Sequence, residues 1–144
     1  MLSSLAFTFQ HAVETPASPQ ALWRLYSDVA TWPTWDDAVE RVTLDGPFEP
    51  GAVGTFKLHG QDPLEFRLLE VEPHRGFMDE TAIPGGVVRF RHRIEALDDG
   101  WVRLTHAVEI EAPAPLAEQL GAKITAGVPE TMIRLAELAQ EATP

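Results

Sequence analysis

The chain of 144 residues contains no cysteine. That excludes a disulfide framework, thiolate metal ligands and a cysteine nucleophile, and leaves histidine and carboxylate sites open. No run approaches the roughly 20 apolar residues that a membrane-spanning helix needs, so stable membrane insertion is not expected. Basic residues are scarce, 11 against 22 acidic, for a formal net charge of −11. This balance disfavours nucleic acid and anionic membrane surfaces as partners, and says nothing against a neutral apolar molecule. The opening MLSSLAFTFQHAVE lacks the basic stretch and continuous apolar core of a secretory signal, which makes the cytoplasm the expected location. Internal repeats, low-complexity tracts and linkers are missing, and no nucleophile-elbow pattern surrounds a serine. What is present, 44% hydrophobic and 23% charged residues, suits one globular domain spanning residues 1–144.

The most informative stretch is Val87–Ala112, two alternating segments joined at Asp98-Asp99-Gly100. A three-residue loop with Gly100 at the positive-φ bulge position sets Val88 opposite Ile110, Phe90 opposite Val108, His92 opposite His106, and Ile94 opposite Leu104. The other face then pairs Arg89 with Glu109 and Glu95 with Arg103. A slip of one residue would undo both sets at once. The stretch therefore predicts a half-buried hairpin with His92 and His106 side by side on its apolar face. Arg89, Arg91 and Arg93 fall on the solvent face.

Around this hairpin the chain divides readily. Leu5–Glu14 alternates, with Phe7, Phe9 and His11 on one face. Ser18 caps a helix over residues 19–29, with Pro19 at its first position and Leu22, Leu25, Tyr26 and Val29 on its apolar side. Pro33 starts a second short helix, and Trp32 and Trp35 form either a core plug or the wall of a ligand cavity. Val39–Asp45, Gly54–His59, Leu64–Glu72 and Phe77–Ile83 read as strands of an antiparallel meander. From Leu116 the period becomes helical and runs to about Glu141, with Pro129 kinking the helix near residues 125–129.

With Tyr26-Ser27-Asp28-Val29 leading to Trp32-Pro33 and Trp35, then Asp45-Gly46-Pro47-Phe48, Gly54-Thr55-Phe56, Leu69-Glu70-Val71-Glu72-Pro73 and the helix containing Pro129, the chain resembles the START-like (SRPBCC) helix-grip superfamily. Within it the similarity is to bacterial polyketide cyclase/dehydrase-like proteins. The resemblance covers nearly the whole chain and implies an α+β fold: a curved antiparallel sheet of about seven strands wrapped on a long C-terminal helix, with two short helices after the first strand. It also implies an apolar cavity between sheet and helix.

The residues expected to face that cavity are Phe7, Phe9, His11, Trp35, Phe56, Phe90, His92, Leu104, His106, Ile124 and Val128. A carboxylate joins them from the strand before the hairpin. A two-residue turn at Pro84-Gly85 turns Asp79 inward, and a turn that includes Gly86 turns Glu80 inward. His92 and His106 are then core residues, polar anchors for a ligand, or an acid/base pair whose charge the carboxylate helps to set. No histidine spacing suggests a metal site, and no cofactor is implied. The leading expectation is a binder of a hydrophobic or aromatic small molecule, lipid-, quinone- or polyketide-like, acting as monomer or homodimer. The alternative is an aromatase/cyclase or dehydratase working by proton transfer through His92 and His106. The resemblance would lead a cyclase of this kind to hold its carbonyls with inward arginine or tyrosine. Here the hairpin arginines point outward, Arg67 would need a bulge to turn in, and the lone tyrosine, Tyr26, lies on the first helix.

Overall fold

The computed structural model describes residues 5–143; residues 1–4, residue 144 and the side chain of Leu5 lie outside the described residues. Strand β1 (Leu5–Thr15) leads to helix α1 (Pro19–Ser27), and a single 3-10 turn precedes the short helix α2 (Trp32–Trp35). Ser18 caps α1 by accepting from the Ala21 amide, 3.1 Å away, with Pro19 in the first turn. Strands β2 (Val39–Asp45), β3 (Val53–Leu58), β4 (Leu64–Glu72), β5 (Gly76–Ile83), β6 (Gly86–Ala96) and β7 (Val102–Glu111) follow. Helices α3 (Ala114–Thr125) and α4 (Val128–Glu141) complete the chain. The strands form one antiparallel sheet in the order β1-β7-β6-β5-β4-β3-β2, so the first and last strands are neighbours.

The β6–β7 hairpin takes the register expected from its sequence. Val88 faces Ile110, Phe90 faces Val108, His92 faces His106 and Ile94 faces Leu104. Gly100 adopts φ +84° in the turn, where a side chain would be strained. Arg89 does lie opposite Glu109, but its guanidinium bonds Glu80 at 2.8 Å and Glu111 at 3.2 Å. Arg103 likewise bonds Glu14 on β1 and not Glu95. Each arginine has acidic neighbours on more than one side, and a long side chain reaches the better placed one.

Two registers left open by the sequence decide what the inner face carries. Pairing of β1 with β7 puts His11 opposite His106, so His11, His106 and His92 form a row across three strands. Between β5 and β6 the turn is Pro84-Gly85, with Ile83 paired to Gly86 and Gly85 at φ +89°. Asp79 therefore lies opposite Phe90 on the inner face, and Glu80 lies opposite Arg89 on the outer one. Arg67 stays exposed, because the bulge in β4 falls after it, between Leu68 and Glu70.

The predicted C-terminal helix is there, with its interruption at the predicted place. The helical ladder lapses at Ala126 and Gly127 while both keep right-handed helical dihedrals, and Pro129 sits in the first turn of α4, where its missing amide costs nothing. Two apolar clusters result. One joins α1, α2 and α4 to the inner faces of β2–β7, including Ile94, Val102 and Leu104, and the other joins α3 to β1, β6 and β7 around Val88, Val108 and Ile110. Among the described residues no helix is long and apolar enough to cross a membrane.

Candidate functional site

A cavity of about 460 Å³ opens where the two clusters meet, within the range of small-molecule sites. α2 contributes Trp32 and Trp35, the inner faces of β3–β7 form the floor, and the α3–α4 junction forms the roof. Of the residues expected to face it, Trp35, Phe56, Phe90, His92, His106, Ile124 and Val128 do. Phe7, Phe9, His11 and Leu104 do not. Both α3 and α4 pack on β1, where Phe7 and Phe9 are half-buried and the Phe7 ring is pressed against Gly121 of α3. Leu104 is fully enclosed in the main core, and His11 is half-buried beside His106.

The polar groups in the wall are few. Asp79 and Thr81 project from β5, Asp36 closes α2, and His59, Gln61 and Lys123 lie at the rim. Asp79 is half-buried and lines the cavity. No hydrogen bond or ion pair compensates its carboxyl among the described residues, and desolvation alone raises its pKa to about 7. Burial also raises Asp36, against a hydrogen bond from the Ala38 amide and with the charge of Asp37 adding to the rise.

The imidazoles behave oppositely. The His92 ring lies almost parallel to Phe77 and Phe90, with centroids 4.0 and 4.9 Å away, and edge-on to His106 at 4.6 Å. Burial, and then the neighbouring His106, holds His92 well below the ordinary value of 6.5. Burial, and then His11, brings His106 down to about 3. His92 Nδ1 and the indole Nε1 of Trp35 are enclosed without a hydrogen-bond partner among the described residues. His106 Nε2 is engaged by the Tyr26 hydroxyl at 2.8 Å. Tyr26 is fully buried, and desolvation raises its pKa far above the ordinary range, so it keeps its proton. Of the two influences expected on the imidazoles, the lowering by a neighbouring histidine is present, but burial outweighs it and Asp79 is not among the causes that set their charge. Both histidines are neutral, and the acid is the group poised near pH 7.

Sequence reasoning missed Tyr26, Thr81, Asp36 and Lys123 as parts of this neighbourhood. Thr81 follows from strand parity once Asp79 is known to face inward. The Tyr26–His106 contact joins positions 80 residues apart and has no local signature.

The family model described as "Polyketide cyclase / dehydrase and lipid transport" matches residues 6–141. This chain belongs to that family. Among solved structures, this family member is similar to the Zhui aromatase/cyclase from Streptomyces sp. R1128, at 15% identity and a TM-score of 0.76, covering 92% of this chain and 93% of that one. It is similar to the truncated norcoclaurine synthase from Thalictrum flavum, at 13% identity and a TM-score of 0.75, covering 98% of each chain. A protein from Thermobifida fusca solved by NMR has 23% identity and a TM-score of 0.75, covering 92% of each chain. At these identities the likeness establishes the helix-grip fold. A search of the curated proteins finds no match.

Proposed function

We propose that this chain is an acid/base enzyme of cyclase type that takes an aromatic or polyketide-like carbonyl compound into the cavity and moves a proton through Asp79. The observation that carries the reading is the Asp79 carboxyl, uncompensated among the described residues in a mostly apolar wall and poised near neutrality. A carrier of a greasy molecule gains nothing from such a group, whose desolvation costs stability. A proton-transfer catalyst needs a pKa close to its working pH. In the step envisaged, the C–H bond next to a carbonyl breaks, its proton passes to the Asp79 carboxylate, and the electron pair moves onto the carbonyl oxygen as an enolate. His92, stacked and neutral, shapes the wall beside it. Relatives of the same fold that are named as an aromatase/cyclase and a synthase support the enzymatic reading.

The test is hydrogen–deuterium exchange at the activated carbon of 2-tetralone, a neutral aromatic ketone, followed by NMR in D2O. The protein should accelerate exchange, increasingly as pH rises through about 7. Asp79→Asn should lose roughly 100-fold or more of that acceleration while binding the ketone within a few-fold of wild type. Equal exchange by the two proteins would remove Asp79 from the mechanism.

A carrier reading also has support, since most of the lining is apolar and the family description includes lipid transport. It predicts a stoichiometric hydrophobic molecule that survives purification and is released for identification by mass spectrometry.

A further inference from the structure

We infer that Tyr26 locks His106 in the tautomer protonated at Nδ1, and that this N–H faces the cavity as the donor for a substrate's carbonyl or enolate oxygen. The inference rests on the acid/base reading above and adds the group that takes the oxygen.

The Tyr26 hydroxyl is wholly enclosed, and its hydrogen-bond partner among the described residues is Nε2 of His106. Around it stand the rings of Trp35, Phe77 and His92, with centroids 5.2 to 6.1 Å from that of Tyr26 and no hydrogen bond to its oxygen. If Nε2 carried a hydrogen, it would donate to the tyrosine oxygen. The phenolic proton would then be buried without an acceptor and bear its full desolvation cost. The opposite arrangement satisfies both groups: the O–H donates and Nε2 accepts. A neutral imidazole has a single N–H, which then sits on Nδ1. The proton position is thus assigned from the hydrogen-bond network.

His106 is part of the cavity wall. Its Nδ1 makes no hydrogen bond among the described residues and is not one of the enclosed unpaired atoms, which are Trp35 Nε1 and His92 Nδ1. Asp79 lies on β5, beyond β6, two residues along from Phe77, which holds the place opposite His92 and so in line with His106. Neighbouring strands lie about 4.8 Å apart and a strand rises about 3.4 Å per residue, so two spacings with a two-residue offset leave roughly 12 Å between the two backbone positions. A carbonyl oxygen at His106 with its activated C–H toward Asp79 suits a gap of that size. Tyr26 never touches the substrate in this arrangement; it is a positioning residue acting through His106.

The test is long-range 15N–1H NMR of the imidazoles at pH 7, with 2-naphthol as a planar analogue of the 2-tetralone enol and naphthalene as its counterpart without oxygen. Wild type should show His106 protonated at Nδ1, and that resonance should move with 2-naphthol and not with naphthalene. Tyr26→Phe should shift His106 toward the Nε2 tautomer and weaken 2-naphthol binding roughly three- to tenfold, leaving naphthalene unchanged. Wild-type His106 protonated at Nε2, or an Nδ1 resonance indifferent to 2-naphthol, overturns the inference. Both readings come from the wild-type protein, so they stand even if Tyr26→Phe does not fold. Continued ketone exchange by Asp79→Asn would instead sink the acid/base assignment and leave the oxygen site in place.

Discussion

In the cavity wall the imidazoles of His92 and His106 and the carboxyl of Asp79 are all displaced toward their uncharged forms. The consequences for stability run in opposite directions. For His92 and His106 the folded pKa lies below the unfolded one, so the unfolded chain takes up protons first as pH falls. Stability is lost from about pH 6.5 downward, toward 3 in the case of His106. Each group contributes a slope of roughly 1.4 kcal/mol per pH unit where only the unfolded state is protonated. His92→Phe, which keeps an aromatic ring between Phe77 and Phe90, should remove one such slope. Urea melts between pH 4 and 6.5 measure this, and an acid limb as steep as wild type would contradict it. Asp79 has the reverse sign. Its folded pKa is raised, so stability falls as pH rises from about 4 to about 7, a loss that Asp79→Asn avoids.

Among the elements, α3 depends on a missing side chain. A Cβ at Gly121 would stand 2.5 Å from the ring of Phe7 on β1. Alanine normally favours a helix over glycine by about 1 kcal/mol, but here the overlap should dominate. Gly121→Ala is expected to destabilise the protein by about 1 kcal/mol, within the range of overpacked sites. In a Phe7→Ala background the same change should become neutral or stabilising. A double-mutant cycle by denaturant melts reads this coupling, and additive effects would show that the ring does not constrain α3. Legibility also differed among elements. The β6–β7 register could be read because apolar and charged partners agree on one alignment, and Gly100 marks the turn. The β1–β7 register has no connecting turn to fix it, so the meeting of His11 with His106 emerges only from the fold.

Across the whole molecule, the order of strands and helices was legible because strand alternation, turn chemistry and the helical period each point the same way, and the helix-grip arrangement followed from the family resemblance those elements carry. The cavity lining was legible in part. Residues at the centre of the sheet line it as expected, whereas Phe7, Phe9 and His11 stay half-buried outside it on β1, the strand on which α3 and α4 pack, a placement that periodicity along one strand does not encode. The key polar group hung on one residue of turn length, since Pro84-Gly85 and not a longer loop turns Asp79 inward. The Tyr26–His106 hydrogen bond was invisible for a related reason: α1 is placed against the sheet by tertiary packing alone.

The account as a whole depends on a single acid held near neutrality inside an apolar cavity. The direct measurement is a pH titration of the Asp79 side-chain carboxyl by 13C NMR in the free protein. The structure predicts a midpoint of about 7, moving when 2-tetralone fills the cavity. A midpoint near the ordinary aspartate value of 3.8, unchanged by the ketone, would contradict it and return the cavity to the role of a carrier.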